Sequence, residues 1–396
     1  MSPDDSSAEP GGFRLDVYGP ADPVFVKGDG AHLIDEDGRR YLDFTSGIAV
    51  TALGHDSPVM SDAIQAALDA GLVHTSNLYR TRPAEELAAL LTRESGLHRA
   101  FFCNSGGEAV EACIKFARRW ARSVGGEDKH EVVALRGSFH GRLFGSLALT
   151  DRPAYQDPFR PLMPGARFID LADPDVLETL DPERVAAVIA EPIQGEGGVR
   201  SLSSETLRRL RQWTREHESL LILDEVQCGL GRTGRLFAHQ EAEIRPDLMA
   251  LAKPLAGGLP MGAALLSEAV AGTIRRGDHG TTFGGGPLVA GVAHAVVSTI
   301  ADPAFLAEVR EKGAHLLALL ETVQQERPGR IREIRGRGLM WGLELEGESG
   351  PVVEKALDEG LLLVGAGPDV VRLLPPLTVT RPELERAVEI LTRCLG

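Results

Sequence analysis

Short apolar runs alternate with amphipathic segments in the middle of the chain. The runs are EVVALRG (131–137), ARFIDL (166–171), VAAVIAEP (185–192), LLILDEV (220–226) and DLMALAK (247–253). Each is apolar at consecutive positions, which is typical of strands covered on both faces in a parallel sheet. The segment SETLRRLRQWTREHES (204–219) instead has the apolar spacing of a helix. This alternation predicts a doubly wound α/β layer from about residue 100 to 270.

The two flanks have a different pattern. Residues 24–50 suggest short antiparallel strands joined at a DEDG turn. After about residue 300, helices are mixed with the runs GLMWGLELEG (338–347) and DVVRLLPPL (369–377). We therefore expect both chain ends to form a smaller α+β domain beside the large one. The predicted segments are a disordered tail (1–12), the first part of the small domain (13–60), the large domain (61–295) and the rest of the small domain (296–396).

Composition narrows the classes of function. The chain has 42 basic and 57 acidic residues, a formal net charge of −15, which argues against nucleic acid or an anionic membrane as a partner. The first twelve residues lack the basic start and apolar core of a secretory signal. The four cysteines form no CxxC pair, and no histidine cluster has metal-ligand spacing. We expect reduced thiols, a cytoplasmic protein and no metal site.

Three of the predicted strands end in charged residues, namely Glu191, the pair Asp224–Glu225, and Lys253. Ligands of such sheets bind outside the carboxyl ends of the strands, so these charges should meet at one edge. A desolvated lysine loses its proton and becomes a nucleophile, and an aspartate can hold a proton on the nitrogen of a pyridine ring. Taken one at a time, the lysine is more simply explained as a solvated residue at a strand end, and the aspartate as the cap of a turn. Together they indicate a reactive site.

Two further segments favour a bound, phosphorylated ring. The sequence SGG at 105–107 precedes a helical pattern, and a hydroxyl with uncovered N–H groups at a helix N-terminus can bind an anion. An ordinary N-cap explains this segment equally well. In RGSFHGR (136–142), Phe139 could cover one face of a planar ring, with His140 and Arg142 nearby. Taken in isolation, Phe139 is more simply a core residue.

Together, eight segments resemble a class III pyridoxal-phosphate-dependent aminotransferase of fold type I, and most of all the acetylornithine aminotransferase group. The resemblance runs from about Phe25 to the C-terminus and depends on the order and spacing of the whole set. The fold it implies is a mostly parallel sheet sandwiched by helices in a large domain, plus the smaller domain. The segments are YLDFTSGIAV, CNSGGEAVEACIKFAR, FHGR, EPIQGEGGV, LDEVQCGLGRTG, LAKPLAGGLP, HGTTFGGGPL and VVRLLPPL.

The resemblance implies pyridoxal 5′-phosphate (PLP) as the cofactor. Lys253 would form a Schiff base with its aldehyde and move the proton during the reaction, and Asp224 would pair with its pyridine nitrogen. The other implied contacts are Gln227 to the ring hydroxyl, Val226 and Phe139 on the ring faces, Ser105, Gly106 and Gly107 to the phosphate, and Thr282 to the phosphate of the neighbouring subunit. The Thr282 contact implies a homodimer with shared active sites.

The implied reaction moves the side-chain amino group of N-acetylornithine, or a similar N-blocked diamino acid, to 2-oxoglutarate, giving a semialdehyde and glutamate. Arg142, Arg372 and Thr281 resemble substrate-contacting positions. Glu196 resembles a glutamate that covers the carboxylate-binding arginine while the amine donor is bound. Ornithine, 4-aminobutyrate, succinyl-diaminopimelate and a carrier-bound lysine precursor are the alternative donors within the family, and an aminomutase reaction is a further alternative.

Four positions depart from the pattern of this group, and one of them is Ser57, which stands where histidine is usual. Gly107 stands where threonine or alanine is usual, which predicts weaker cofactor retention because a side-chain contact is missing. Gly286 replaces an asparagine before a helix that starts at Pro287, and it is a weaker N-cap. Arg80 stands where an uncharged aromatic residue is common and could alter the preferred donor.

Two other classes of protein compete with an aminotransferase. A nucleotide-binding oxidoreductase is disfavoured because GLGRTG (229–234) does not open a helix directly after a strand. A non-catalytic relative that keeps only the fold is disfavoured because Lys253, Asp224 and Gln227 are all present.

Overall fold

The computed structural model describes residue 15, residues 17–18 and residues 23–396. The predicted tail at 1–12 lies outside these described residues. The strands are β1 (Phe25–Asp29), β2 (His32–Asp35), β3 (Arg40–Asp43), β4 (Arg99–Cys103), β5 (Glu131–Leu135), β6 (Ala166–Ile169), β7 (Val185–Ala190), β8 (Ile193–Gln194), β9 (Arg200–Ser201), β10 (Leu220–Asp224), β11 (Leu248–Leu251), β12 (Gly262–Leu266), β13 (Ile331–Arg337), β14 (Met340–Leu345), β15 (Leu361–Leu362), β16 (Val364–Gly365) and β17 (Val370–Leu373).

The α-helices connect and cover these strands. They are α1 (Ser46–Ala49), α2 (Pro58–Asp69), α3 (Arg82–Ser95), α4 (Gly106–Gly125), α5 (Phe144–Ala148), α6 (Pro153–Gln156), α7 (Ser204–Glu216), α8 (Glu268–Ala271), α9 (Pro287–Ile300), α10 (Pro303–Glu326), α11 (Gly350–Asp358) and α12 (Arg381–Leu395).

A seven-stranded sheet in the order β4-β12-β11-β10-β7-β5-β6 forms the centre of the fold. Strands β11, β10, β7, β5 and β6 pair in parallel, whereas β12 is antiparallel to both of its neighbours. All six residues of β7 are buried. Ala187 and Ile189 pack in the cluster that contains α4, and Val188 and Ala190 pack in the cluster that contains α7. The prediction of a mostly parallel sheet covered on both faces is therefore confirmed.

Two four-stranded sheets accompany the central one, in the orders β1-β2-β3-β15 and β13-β14-β17-β16. The predicted turn at DEDG joins β2 and β3, which pair antiparallel. Strand β15 adds to β3 in parallel, so the first and last parts of the described chain share one sheet. The second sheet places Arg372 on β17, opposite Gly342 of β14. The domain boundaries at residues 60 and 295 stay a prediction.

Within the described residues, no single helix has both the length and the apolar composition to cross a membrane. The bent pair α9 and α10, with 65° between its two helices, meets these criteria by length and composition only.

Candidate active site

The carboxyl ends of three neighbouring strands surround one cavity of about 330 Å³. Strand β7 is followed by Glu191, β10 ends on Asp224, and β11 is followed by Ala252 and Lys253, and all four residues line the cavity. Because parallel strands point their carboxyl ends to the same edge, residues 62 positions apart in the chain meet there. The cavity lies where the sequence predicted the site, and its volume is in the range of small-ligand sites.

Lys253 is the first residue of a short 3-10 turn, Lys253–Ala256, two positions beyond β11. Pro254 follows it, and the φ of Lys253 is 35°, a left-handed value that costs a non-glycine residue about 1–3 kcal/mol. Burial and, to a smaller extent, the nearby Arg372 lower the pKa of the Lys253 amine to about 8, against the opposing effect of Glu196, Asp224 and Glu191. The lysine is therefore held in place by a strained backbone and is partly neutral near pH 7.

Asp224 is oriented by two groups. The His140 Nδ1 atom lies 2.8 Å from Asp224 Oδ2, and the Val226 N–H donates to Asp224 Oδ1 at 3.0 Å. His140 and Asp224 are both buried, and His140 Nε2 has no partner among the described residues. The histidine thus holds a buried carboxylate at the floor of the cavity.

Glu191 is a second buried carboxyl group in this cavity. Its Oε2 accepts a hydrogen bond from the Phe139 N–H at 3.1 Å. Burial, together with the negative charge of Asp224, raises the pKa of Glu191 well above its ordinary value. The neutral acid is therefore the favoured form of Glu191.

The N-terminus of α4 closes another side of the cavity. Ser105 is the N-cap of this helix, and its hydroxyl accepts from the Glu108 N–H at 3.2 Å. The Glu108 carboxylate in turn accepts from the Asn104 N–H at 2.6 Å. Ser105, Gly106 and Gly107 all line the cavity, so the N-cap interpretation and an adjacent anion site are compatible.

Of the two glycines that line this side of the cavity, only Gly106 is required to be glycine. A Cβ at Gly106 would lie 2.8 Å from Val226 Cγ1, whereas a Cβ at Gly107 would make an ordinary contact of 3.5 Å with Leu143. Val226 and Phe139 both line the cavity, as a ring held between two side chains requires. These residues fit a flat, phosphorylated ring, and the departure at Gly107 leaves room that a larger side chain would occupy.

A polar cluster of Arg372, Glu196 and Gln227 lies beside the cavity. Arg372 is fully buried, and its Nη1 donates to Glu196 Oε1 at 2.6 Å and to Gln227 Oε1 at 2.9 Å. Burial alone would raise the pKa of Glu196, but the Arg372 guanidinium holds it below the ordinary value. Of the three, only Gln227 lines the cavity. The cluster joins β17 of the C-terminal part to the loops that follow β8 and β10.

Arg142, Thr281 and Thr282 lie outside the cavity lining. Arg142 is exposed, with its guanidinium carbon 5.9 Å from the centroid of the Phe139 ring. Thr281 Oγ1 accepts from the Asn104 side chain at 3.1 Å. Thr282 is exposed.

Two of the other departures from the family pattern, Arg80 and Gly286, also have defined surroundings. Arg80 is 84% exposed in its side chain and pairs with both carboxylate oxygens of Glu85, at 3.1 and 2.7 Å. Gly286 is the N-cap of α9 and offers no side-chain hydrogen bond, and Pro287 occupies the first turn. Within one chain, Arg80 is therefore held by Glu85 of the following helix α3 rather than by the cavity.

Two contributors to the cavity were not assigned a role from the sequence. The partner of His140 is 84 residues away, and no spacing rule connects them. Glu191 was recognised as a charged strand end, but its contact with the Phe139 N–H needs the packing of β7 against the loop after β5. A charged residue at a strand end was the available signal for Glu191, and there was none for His140.

Comparison of the sequence with known families and proteins gives a consistent result. The family model described as aminotransferase class-III matches residues 18–395. The mitochondrial acetylornithine aminotransferase of Alnus glutinosa is 46% identical over 392 residues, covering 97% of this chain and 86% of the relative. The acetylornithine aminotransferase of Methanocaldococcus jannaschii is 42% identical over 379 residues, covering 96% and 95%.

Solved structures share the fold. The ornithine aminotransferase of Toxoplasma gondii ME49 superimposes with a TM-score of 0.92 at 31% identity, covering 97% of this chain and 92% of the other. The N-acetylornithine aminotransferase of Stenotrophomonas maltophilia K279a superimposes with a TM-score of 0.83 at 38% identity, covering 95% and 96%. The fold class predicted from the resemblance is confirmed.

Proposed function

The chain belongs to the class III aminotransferases, and on that premise we propose that it moves the side-chain amino group of N-acetylornithine to 2-oxoglutarate. Relatives named acetylornithine aminotransferase cover nearly the whole chain at 41–46% identity. The observation that carries the proposal is the ion pair of the buried Arg372 with the partly buried Glu196, beside the cavity that Lys253 and Asp224 line.

Pyridoxal phosphate is the cofactor. When bound, it supplies an aldehyde that takes up the amino group and a ring that accepts electrons from the substrate Cα. Lys253 would hold the aldehyde, and its amine would carry the proton to and from the substrate Cα. Asp224, oriented by His140 at 2.8 Å, would hold the proton on the ring nitrogen. Both roles are part of the proposal and are supported by the positions of these residues in the cavity.

The remaining cofactor contacts are assigned by position. Val226 and Phe139 would cover the two faces of the ring, since both side chains line the cavity. Ser105, Gly106 and Gly107 hold the phosphate at the N-terminus of α4, where N–H groups and the helix dipole favour an anion. Gln227 reaches the ring hydroxyl while it also accepts from Arg372.

The pair Arg372–Glu196 explains how one pocket serves two substrates. While Glu196 occupies Arg372, the arginine has no free charge for a second carboxylate, which suits an amine donor. When 2-oxoglutarate enters, one of its carboxylates replaces Glu196 on the guanidinium, which binds carboxylates through two parallel hydrogen bonds. Arg142 binds the other carboxylate group, and Thr281 lies beside it.

We also propose a homodimer with shared active sites, in which Thr282 reaches the phosphate of the neighbouring subunit. Segment 72–79 exposes several apolar side chains, with Leu78 81% and Tyr79 74% exposed. This segment packs against the Thr282 loop, where His74 lies 5.4 Å from the 69%-exposed Phe283 ring. These exposed apolar side chains near Thr282 support a subunit contact there. The four buried free cysteines support the proposal of a cytoplasmic setting.

A donor panel tests the substrate. We expect the PLP-loaded protein to use N-acetylornithine with 2-oxoglutarate at least about tenfold better in kcat/KM than ornithine or 4-aminobutyrate, a difference of about 1.4 kcal/mol in the transition state. Glutamate formation measured for each donor decides the result. The 0.92 TM-score to an ornithine aminotransferase makes ornithine the second candidate, and a preference for ornithine would overturn the proposal.

The pH dependence of cofactor uptake follows from Lys253. Only the neutral amine attacks an aldehyde, and the pKa of Lys253 is lowered to about 8. The rate at which the cofactor-free protein takes up PLP should therefore rise about tenfold from pH 6 to 7 and level off above about pH 8. Stopped-flow absorbance measures this rate. Nα-acetyl-lysine is the control, since its unshifted amine keeps gaining reactivity to about pH 10. A protein rate that still rises above pH 9 would contradict the lowered pKa.

A further inference from the structure

The Arg142 side chain is held by an aromatic ring rather than by hydrogen bonds. Its guanidinium carbon lies 3.4 Å from the centroid of the Tyr155 ring. The Phe139 ring is farther away, at 5.9 Å. Arg142 has no hydrogen bond or ion pair with any residue in the described part of the chain. An arginine stacked in this way keeps all five N–H donors for a ligand.

Tyr155 belongs to the short helix α6, which is fixed from two sides. The buried Gln156 side chain donates to three main-chain carbonyls between residues 147 and 150, at 2.9–3.4 Å. The Arg152 Nη2 atom donates to the Glu196 carbonyl at 2.9 Å. The ring of Tyr155 is therefore carried by a segment that is tied to the loop of Glu196, the residue paired with Arg372.

The main chain just before Arg142 is hydrogen-bonded to Thr150, whose carbonyl also accepts from the Gln156 side chain of α6. Thr150 Oγ1 accepts from the His140 N–H at 2.9 Å and from the Gly141 N–H at 3.2 Å. It also donates to the Gly141 carbonyl at 3.0 Å. Because Thr150 is fully buried, the backbone that carries Arg142 and the helix that carries Tyr155 have a fixed relative position.

We propose that Tyr155 is a positioning residue that selects carboxylate substrates by holding the plane of the Arg142 guanidinium. A cation attracted to a ring face has its flat side covered and its N–H edges free, and those edges bind a carboxylate with two hydrogen bonds. The side chain of a free arginine has many rotamers, and fixing them in advance lowers the entropic cost of binding. This inference rests on the proposed role of Arg142 in substrate binding.

The ring face, and not the hydroxyl, carries this role. The Tyr155 hydroxyl has no hydrogen-bond partner among residues 23–396. Removing the hydroxyl should therefore leave the stacking in place, whereas removing the ring should free the guanidinium. Both the amine donor and 2-oxoglutarate carry a carboxylate, so loss of the ring should weaken binding of both substrates and leave the chemical step unchanged.

Four variants of the PLP-loaded protein test the inference, two of them carrying Arg142→Ala, with binding of the unreactive dicarboxylate glutarate as the first readout. Tyr155→Leu should raise both the Kd of glutarate and the Michaelis constant for the acceptor 2-oxoglutarate about 3- to 20-fold, the range of a cation–π contact, with kcat within about twofold. Tyr155→Phe should stay within about twofold of the parent in both quantities. In an Arg142→Ala background, Tyr155→Leu should add nothing, because the group it positions is absent.

Three outcomes would overturn the inference. They are an unchanged Kd in Tyr155→Leu, equal losses in Tyr155→Phe and Tyr155→Leu, and an undiminished effect of Tyr155→Leu in the Arg142→Ala background. Bound-cofactor absorbance and the melting temperature show whether each variant is folded. The glutarate titration does not involve an amine donor, so it still decides the role of Tyr155 if N-acetylornithine proves not to be the substrate.

Discussion

Replacement of Lys253 by alanine is expected to lower the rate of amino-group transfer by about 10⁴-fold or more, since it removes both the attachment point and the proton carrier. The variant should also lose the visible absorbance of bound PLP. Lys253 lines the cavity, so another amine could take its place only by entering this cavity. Its pKa is also lowered to about 8, which makes its amine more reactive near pH 7. Glutamate formation with 2-oxoglutarate and the absorbance spectrum are the two measurements.

The matched control is Lys27→Ala, which removes an exposed lysine from β1. We expect the activity and spectrum of this variant to equal those of the parent. The assignment of Lys253 would be wrong if Lys253→Ala kept a PLP spectrum that borohydride bleaches, because another lysine would then hold the cofactor.

Asp224→Asn is expected to lower kcat by about 10²- to 10³-fold, the usual cost of removing one pre-positioned electrostatic group from a buried site. The amide keeps the shape of the side chain and its contact with the Val226 N–H, at 3.0 Å in the parent. It has no negative charge, so it cannot hold the proton on the ring nitrogen, and the ring becomes a weaker electron acceptor. Single-turnover rates with glutamate isolate this step.

Glu191→Gln is the matched control for that variant, because it removes a carboxyl group from the same cavity. Burial and the charge of Asp224 raise the pKa of Glu191 well above its ordinary value, so a neutral amide resembles the form already present. The Glu191 oxygen that accepts from the Phe139 N–H is kept in glutamine. We expect kcat within about threefold of the parent, a difference under about 1 kcal/mol. If kcat fell equally in Asp224→Asn and Glu191→Gln, the charge of Asp224 would have no special role, and both carboxyl groups would serve only the structure of the site.

The central sheet was predictable because burial on both faces leaves a strong local signal. The runs at 185–192 and 220–226 became β7 and β10, each ending within two residues of the predicted charged position. The antiparallel direction of β12 was not predictable, since GAALL is apolar at every position and such a run has the same pattern in either direction. The pairing of β15 with β3 joins residues about 320 positions apart, and no local pattern indicates that contact.

The candidate site likewise has residues that were predictable from the sequence and contacts that were not. Lys253, Asp224 and Glu191 were recognised as charges at strand ends, and the structure places all three around one cavity. The hydrogen bond of His140 to Asp224 and the stacking of Arg142 on Tyr155 were not recognised. These contacts depend on side-chain directions in loops, which the spacing of polar residues does not encode.

The sequence by itself determined the α/β layering and the edge of the sheet where the charged residues collect, because hydrophobic periodicity reports burial one residue at a time. The tertiary structure alone decided which charges are neutral and which are paired. Burial favours the neutral forms of Glu191 and Lys253, while the Arg372 guanidinium keeps Glu196 ionised. The physical reason is that desolvation and Coulomb interactions depend on distances in space, which the folded chain sets and the order of residues does not.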